Sequence, residues 1–122
     1  MNPTRLLIID DHDAVREALR ARLGALPEIE VVGCTGSWEV GLQRALELEP
    51  DVVLIETKRA DGKGLEALQC ITDRCSCADV IVLTSYLDAE ERAAARSSGA
   101  ARYLLKDIDS TRLVSEIQSV TR

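Results

Sequence analysis

The chain has 122 residues, 46% hydrophobic and 30% charged, which suits one folded core and excludes both disorder and two ordinary domains. A formal net charge of −6 disfavours nucleic acid as a direct partner, because phosphate binding wants a basic face. No apolar run reaches bilayer length and Met1-Asn2-Pro3-Thr4-Arg5 does not open a secretory signal, so the expectation is a cytoplasmic domain with no membrane partner.

The first apolar run, Leu6-Leu7-Ile8-Ile9, has strand length and ends in Asp10-Asp11. Val15, Ala18, Leu19 and Leu23 then repeat at helical spacing, with Asp13 as the expected cap and Pro27 beyond the end. A second strand is expected over Ile29 to Val32. Ser37 caps a second helix carrying Leu42, Ala45 and Leu46, which Pro50 stops. Val52-Val53-Leu54-Ile55 ends in Glu56, and Leu65, Leu68 and Ile71 mark the third helix. Val80-Ile81-Val82-Leu83 ends in Thr84-Ser85. Asp88 and Glu91 have the spacing of a capping box before a fourth helix whose apolar face is Ala89, Ala93 and Ala94. Tyr103-Leu104-Leu105 ends in Lys106, and Leu113, Ile117 and Val120 form the stripe of a last helix.

Strand and helix thus alternate five times. Continuous aliphatic runs are the mark of strands buried on both faces, and right-handed crossovers put helices on both sides. The expected architecture is an α/β doubly wound five-stranded parallel sheet, (βα)5, with strand order 2-1-3-4-5. Ligand sites of such sheets lie beyond the carboxyl ends of the strands. There the sequence places Asp10, Asp11, Glu56, Thr84 and Lys106: three carboxylates, a hydroxyl and an ammonium. Crowded carboxylates need a compensating cation, and a hard divalent ion such as Mg²⁺ prefers oxygen ligands. A hydroxyl beside a lysine suits phosphoryl oxygens. Neither G-x-x-x-x-G-K-[ST] nor G-x-G-x-x-G follows the first strand, which weakens a nucleotide-binding reading. Cys34, Cys70, Cys75 and Cys77 read as free thiols rather than a disulfide framework. Cys70, Cys75 and Cys77 match no common zinc spacing, which leaves a thiol-based sensor as the remote alternative.

These motifs together carry a resemblance. Leu6 through His12, Pro50 through Glu56, Asp61-Gly62-Lys63-Gly64-Leu65-Glu66, Val82-Leu83-Thr84-Ser85 and Gly99 through Asp107 resemble the receiver domain of two-component response regulators, with its flavodoxin-like fold. The likeness covers the whole of 1–122. Asp10-Asp11-His12 and Leu104-Leu105-Lys106-Asp107 look most like the branch whose members often carry a C-terminal helix-turn-helix DNA-binding domain, a resemblance under which 1–122 would be the N-terminal receiver domain of a longer response regulator. The resemblance implies a histidine kinase as partner and a non-enzymatic signalling role. It makes Asp10 and Asp11 the acid pair for Mg²⁺, Glu56 the phosphoacceptor position and also a metal ligand, and the Lys58 carbonyl a further ligand. Thr84 and Lys106 would contact the phosphoryl group, and Tyr103 stands at the aromatic switch position. The face formed by the fourth helix, fifth strand and fifth helix would serve a homodimer or another protein partner.

Glu56 departs from the family's aspartate. Its extra methylene carries the carboxylate toward the place of the phosphoryl group, and displacement of a nucleophile by about 1 Å costs on the order of a hundredfold. Arg59 and Ala60 replace the usual apolar residue and proline, which is expected to loosen that loop. The reading is therefore a pseudo-receiver with weakened Mg²⁺ binding. The alternative is a working acceptor that uses Glu56 or a neighbour such as Asp61 or Thr57.

Overall fold

The computed structural model describes residues 2–121; Met1 and Arg122, the ends of the expected 1–122 domain, lie outside the described residues. Strands β1 (Thr4–Ile9), β2 (Ile29–Thr35), β3 (Val52–Ile55), β4 (Asp79–Thr84) and β5 (Arg102–Leu105) alternate with helices α1 (Asp13–Gly24), α2 (Trp38–Leu48), α3 (Gly64–Arg74), α4 (Ala89–Ser97) and α5 (Ser110–Val120). The sheet is parallel, in the order β2-β1-β3-β4-β5. The expected architecture is the observed one. Among the described residues, no helix is long and apolar enough to cross a membrane.

The alternation of side chains along each strand divides the core in two. Leu7, Ile9, Val53, Ile55, Val80 and Val82 point to one face and pack with Trp38, Ala45, Leu68, Ile71 and Ala95 from α2, α3 and α4. Leu6, Ile8, Val52, Leu54, Ile81 and Leu83 point to the other and meet Leu19 and Leu23 of α1 and Leu113, Val114 and Ile117 of α5. A chain without phenylalanine thus builds both layers from aliphatic side chains, with Trp38 as the one large aromatic sealed into the first.

Several local expectations change. The N-cap of α1 is His12, which makes no side-chain cap bond, while Asp13 lies inside the first turn and pairs with Arg16 at 2.7 Å. Ala18, Leu46 and Leu65 face solvent, because each helix buries a stripe narrower than its apolar content. On α4 the buried residue is Ala95, whereas Ala89 and Ala93 are exposed and Ala94 is half-buried. Ser37 does cap α2, accepting the Val40 N–H at 3.2 Å. β2 runs three residues beyond its apolar stretch, to Thr35, because pairing with β1 continues to Ile9. Cys34, Cys70, Cys75 and Cys77 are free thiols, and burial pushes the Cys75 thiol above its ordinary value, toward an unreactive form.

Candidate functional site: the carboxyl ends of β1, β3 and β5

Strand register assembles the site. Ile9 pairs with Ile55, and the ladder continues one rung past both strands, with the Glu56 N–H donating to the Ile9 carbonyl at 3.0 Å. On the other side, Thr84 pairs with Leu105, and the Lys106 N–H donates to the Thr84 carbonyl at 2.8 Å. Asp10, Glu56, Thr84 and Lys106 are therefore fixed by backbone pairing rather than by flexible loops.

The buried centre is an ion triad. Lys106 Nζ lies 2.6 Å from Asp10 Oδ2 and 2.9 Å from Glu56 Oε1. Asp10 is 2% exposed and Glu56 1%, so both carboxylates depend on this one ammonium for charge compensation. The other Glu56 oxygen, Oε2, accepts the Lys58 N–H at 2.9 Å. Asp10 Oδ1 accepts the His12 N–H at 2.9 Å, and the Asp10 carbonyl accepts Arg16 at 2.7 Å.

Asp11 stands one shell outward. Its Oδ2 accepts the Ala60 N–H at 3.0 Å, while its Oδ1 is buried and takes no hydrogen bond. His12 Nδ1 approaches Asp10 Oδ1 at 3.2 Å and Asp11 Oδ1 at 3.3 Å. Asp10, Asp11 and His12 thus each offer a ligand atom within 4.8 Å of the others. The adjacent Asp10 and Asp11 carboxylates, with a buried Asp11 oxygen that takes no hydrogen bond, suit a divalent cation of the Mg²⁺ type. Glu56 is outside that three-residue group, with one oxygen on Lys106 and the other on the Lys58 N–H.

The Thr84 hydroxyl is wholly buried and donates to the Tyr86 carbonyl at 3.1 Å. Tyr103 is half-buried, and its hydroxyl donates to Glu91 Oε1 at 2.7 Å and accepts the Asp88 N–H at 3.3 Å. Glu91 Oε2 meets Lys58 Nζ at 2.7 Å. Burial lowers the Lys58 ammonium, but the hydrogen bond and charge of Glu91 outweigh it and leave it above its ordinary value. Burial first, and then Glu91, hold the Tyr103 phenol above its ordinary value.

A phenol raised in the native state favours folding below the ordinary tyrosine value, and that contribution is lost as pH rises through Tyr103's own value. Glu91→Gln removes the carboxylate charge, so ultraviolet titration should find Tyr103 ionising at lower pH than in the wild type. An unchanged titration curve would contradict the assigned cause.

The sequence understated three residues. Arg59 is not a loose surface substitution: its side chain is 4% exposed and Nη2 donates to the Gly36 carbonyl at 2.8 Å. With the Lys58 and Ala60 N–H bonds it ties down the loop that absence of proline was expected to loosen. Glu91 serves as more than half of a capping box. Its N–H does donate to Asp88 Oδ1 at 3.0 Å, but its side chain turns to Lys58 and Tyr103 rather than back to the cap. His12 was legible only as part of the Asp10-Asp11-His12 run, and its ring joins the acid pair because it caps α1 directly beside them.

Residues 6–118 match the response regulator receiver domain. The chain is 36% identical to the transcriptional regulatory protein LiaR of Bacillus subtilis over 118 residues, 97% of this chain and 56% of that protein. It is 34% identical to the DNA-binding transcriptional activator DevR/DosR of Mycobacterium tuberculosis over 116 residues, 95% of this chain and 54% of that protein. The chain therefore spans about half the length of the curated relatives it matches. Among solved structures, the signal receiver domain of NarL from Mycobacterium tuberculosis superposes with a TM-score of 0.89 at 22% identity, covering 99% of this chain and 98% of that one, a likeness of fold. A family match over residues 6–118, relatives above 30% identity and acidic residues gathered at the strand ends lead to one conclusion: this chain belongs to the receiver domains of two-component response regulators.

Proposed function

We propose that this domain is a pseudo-receiver, a signalling module whose state is not set by ordinary aspartyl phosphorylation. The observation that carries the reading is the engagement of Glu56, itself 1% exposed, at both oxygens, with Lys106 at 2.9 Å and the Lys58 N–H at 2.9 Å. A carboxylate so held already supplies negative charge to Lys106. For it to attack a phosphodonor it must leave an ion pair and a hydrogen bond while remaining in line, and near-attack geometry tolerates little displacement. The charge supplied differs from that of a phosphoryl group, which offers three acceptor oxygens and more than one negative charge. The domain is therefore held in one charge state, and its equilibrium answers to a partner that distinguishes two conformations.

Mg²⁺ would be held by Asp11, through its open Oδ1, with Asp10 and the Lys58 carbonyl, and more weakly than in a site where the third carboxylate is free. The ion would neutralise charge at the acid pair. The chain's own residues fix the acids and position Lys106. The further partners fitting this reading are a histidine kinase, an output domain continuing beyond this chain that controls transcription, and a protein partner or second copy on the α4–β5–α5 face, in a cytoplasmic setting. Asp61 and Thr57 remain the neighbouring acceptors in the competing reading, which draws support from the intact Asp10–Lys106 pair and the buried Thr84.

Intact-mass measurement after incubation with Mg²⁺ and a small acyl phosphate tests both readings. The expected result is no adduct. A stoichiometric phosphoryl adduct, whether a base-labile acyl phosphate on Glu56 or Asp61 or a phosphoester on Thr57, would overturn the pseudo-receiver.

A further inference from the structure

Helix α4 is weakly embedded: of its nine residues only Ala95 is buried. Its first turn needs another anchor, and Glu91 supplies one. A single carboxylate joins three elements. Oε2 takes Lys58 Nζ, from the loop after β3, at 2.7 Å. Oε1 accepts the Tyr103 hydroxyl, from β5, at 2.7 Å. The Glu91 N–H, at the start of α4, closes on Asp88 at 3.0 Å, and the Asp88 N–H returns to the Tyr103 hydroxyl at 3.3 Å. Both carboxylate bonds are of short, charge-assisted type, and Glu91's side chain is 16% exposed, so water competes little with them. Lys58 in addition lies over the Tyr86 ring, 4.5 Å from its centroid, and Arg92 lies over the Tyr103 ring at 5.6 Å.

We propose that Glu91 is a positioning residue that straps Tyr103 and the first turn of α4 to the loop bearing Glu56 and Lys58. The backbone N–H of Lys58 holds Glu56, while the side chain of the same residue holds Glu91. A shift of that loop is thereby passed to α4 and to the aromatic ring on β5 through side chains, without passing through the Thr84 hydroxyl. This link holds whether or not Glu56 accepts a phosphoryl group, so its test and the phosphodonor test fail separately.

Hydrogen exchange read by mass spectrometry on the full chain decides it. Glu91→Ala should speed amide exchange over residues 86–95 by roughly tenfold, the order expected for loss of a charge-assisted bond that holds a lightly packed segment. Exchange in β1 and β3 should stay as in the wild type, which separates local release from general unfolding. Glu91→Gln keeps an acceptor for Tyr103 and loses the charge, and should give a smaller increase. Lys58→Met is the discriminating variant, since Lys58 lies in a different element from the helix it is said to hold. It should speed exchange over 86–95 in the wild-type background and add nothing in the Glu91→Ala background, because both changes cut one link. If Lys58→Met leaves α4 unchanged, or if the two effects simply add, the strap does not exist. Should Glu91→Ala raise exchange throughout the sheet, the Lys58→Met and Glu91→Gln comparison still decides.

Discussion

Lys106→Met should lower the unfolding free energy by about 3–5 kcal/mol, the loss typical when one partner of a buried ion pair is removed. The physical reason is desolvation without compensation. Asp10 and Glu56 are 2% and 1% exposed, and the Lys106 ammonium lies within 2.9 Å of both. Methionine keeps much of the volume of the lysine stem and removes the charge, so the penalty reports electrostatics rather than a cavity. Urea unfolding of the wild type and the variant would measure it. Adding Asp10→Asn and Glu56→Gln to Lys106→Met should recover a large part of the loss, because the stranded charges go too. A loss under about 1 kcal/mol for Lys106→Met, the range of exposed pairs, would show that the triad is solvated and compensated by water.

Gly64→Ala should be almost as damaging for a steric reason. Gly64 opens α3, and a Cβ there would run into the Thr57 carbonyl, a backbone group with no rotamer to retreat to. Relief requires moving the loop between β3 and α3, which also carries the Lys58 N–H onto Glu56 and the Ala60 N–H onto Asp11. A cost of about 3 kcal/mol or more is expected, at the upper end for overpacking. Gly24→Ala, at the end of α1, is the control: nothing lies within 4 Å of its added Cβ, and the change should be neutral or stabilise by about 0.4–1 kcal/mol. Equal melting temperatures for the two variants would refute the packing account.

The fold was legible because its signals are redundant. The runs Leu6–Ile9, Val52–Ile55 and Val80–Leu83 are continuous and aliphatic, and each ends in a polar residue that a buried strand does not otherwise tolerate, as with Ile9-Asp10 and Ile55-Glu56. The same endings showed where Asp10, Glu56, Thr84 and Lys106 sit. Which polar atoms touch was less accessible. Lys106 contacts both Asp10 and Glu56, a pairing that needs the strand order and the reach of a side chain across the sheet. Glu91 illustrates the harder case. Its spacing from Asp88 fits a capping box, but Tyr103 and Lys58, distant in sequence, offer its carboxylate stronger bonds than its own cap. Arg59 misleads in the same way, because an arginine in a polar loop reads as solvated until the Gly36 carbonyl is seen to accept it. Surface assignments on α1 and α4 failed for a simpler reason: alanine satisfies a helical stripe without needing burial, so Ala18, Ala89 and Ala93 carry no directional information.

Lys106 follows the last strand, whereas the carboxylates it neutralises follow the first and third. On a ribosome the chain emerges from its N-terminus, and Asp10 and Glu56 are both available long before residue 106 is made. Until then, pairing β1 with β3 brings two acids together with no ammonium between them. The native charge arrangement is thus withheld from every shorter nascent chain, and the closing strand brings with it the counter-ion that lets the sheet's centre shut.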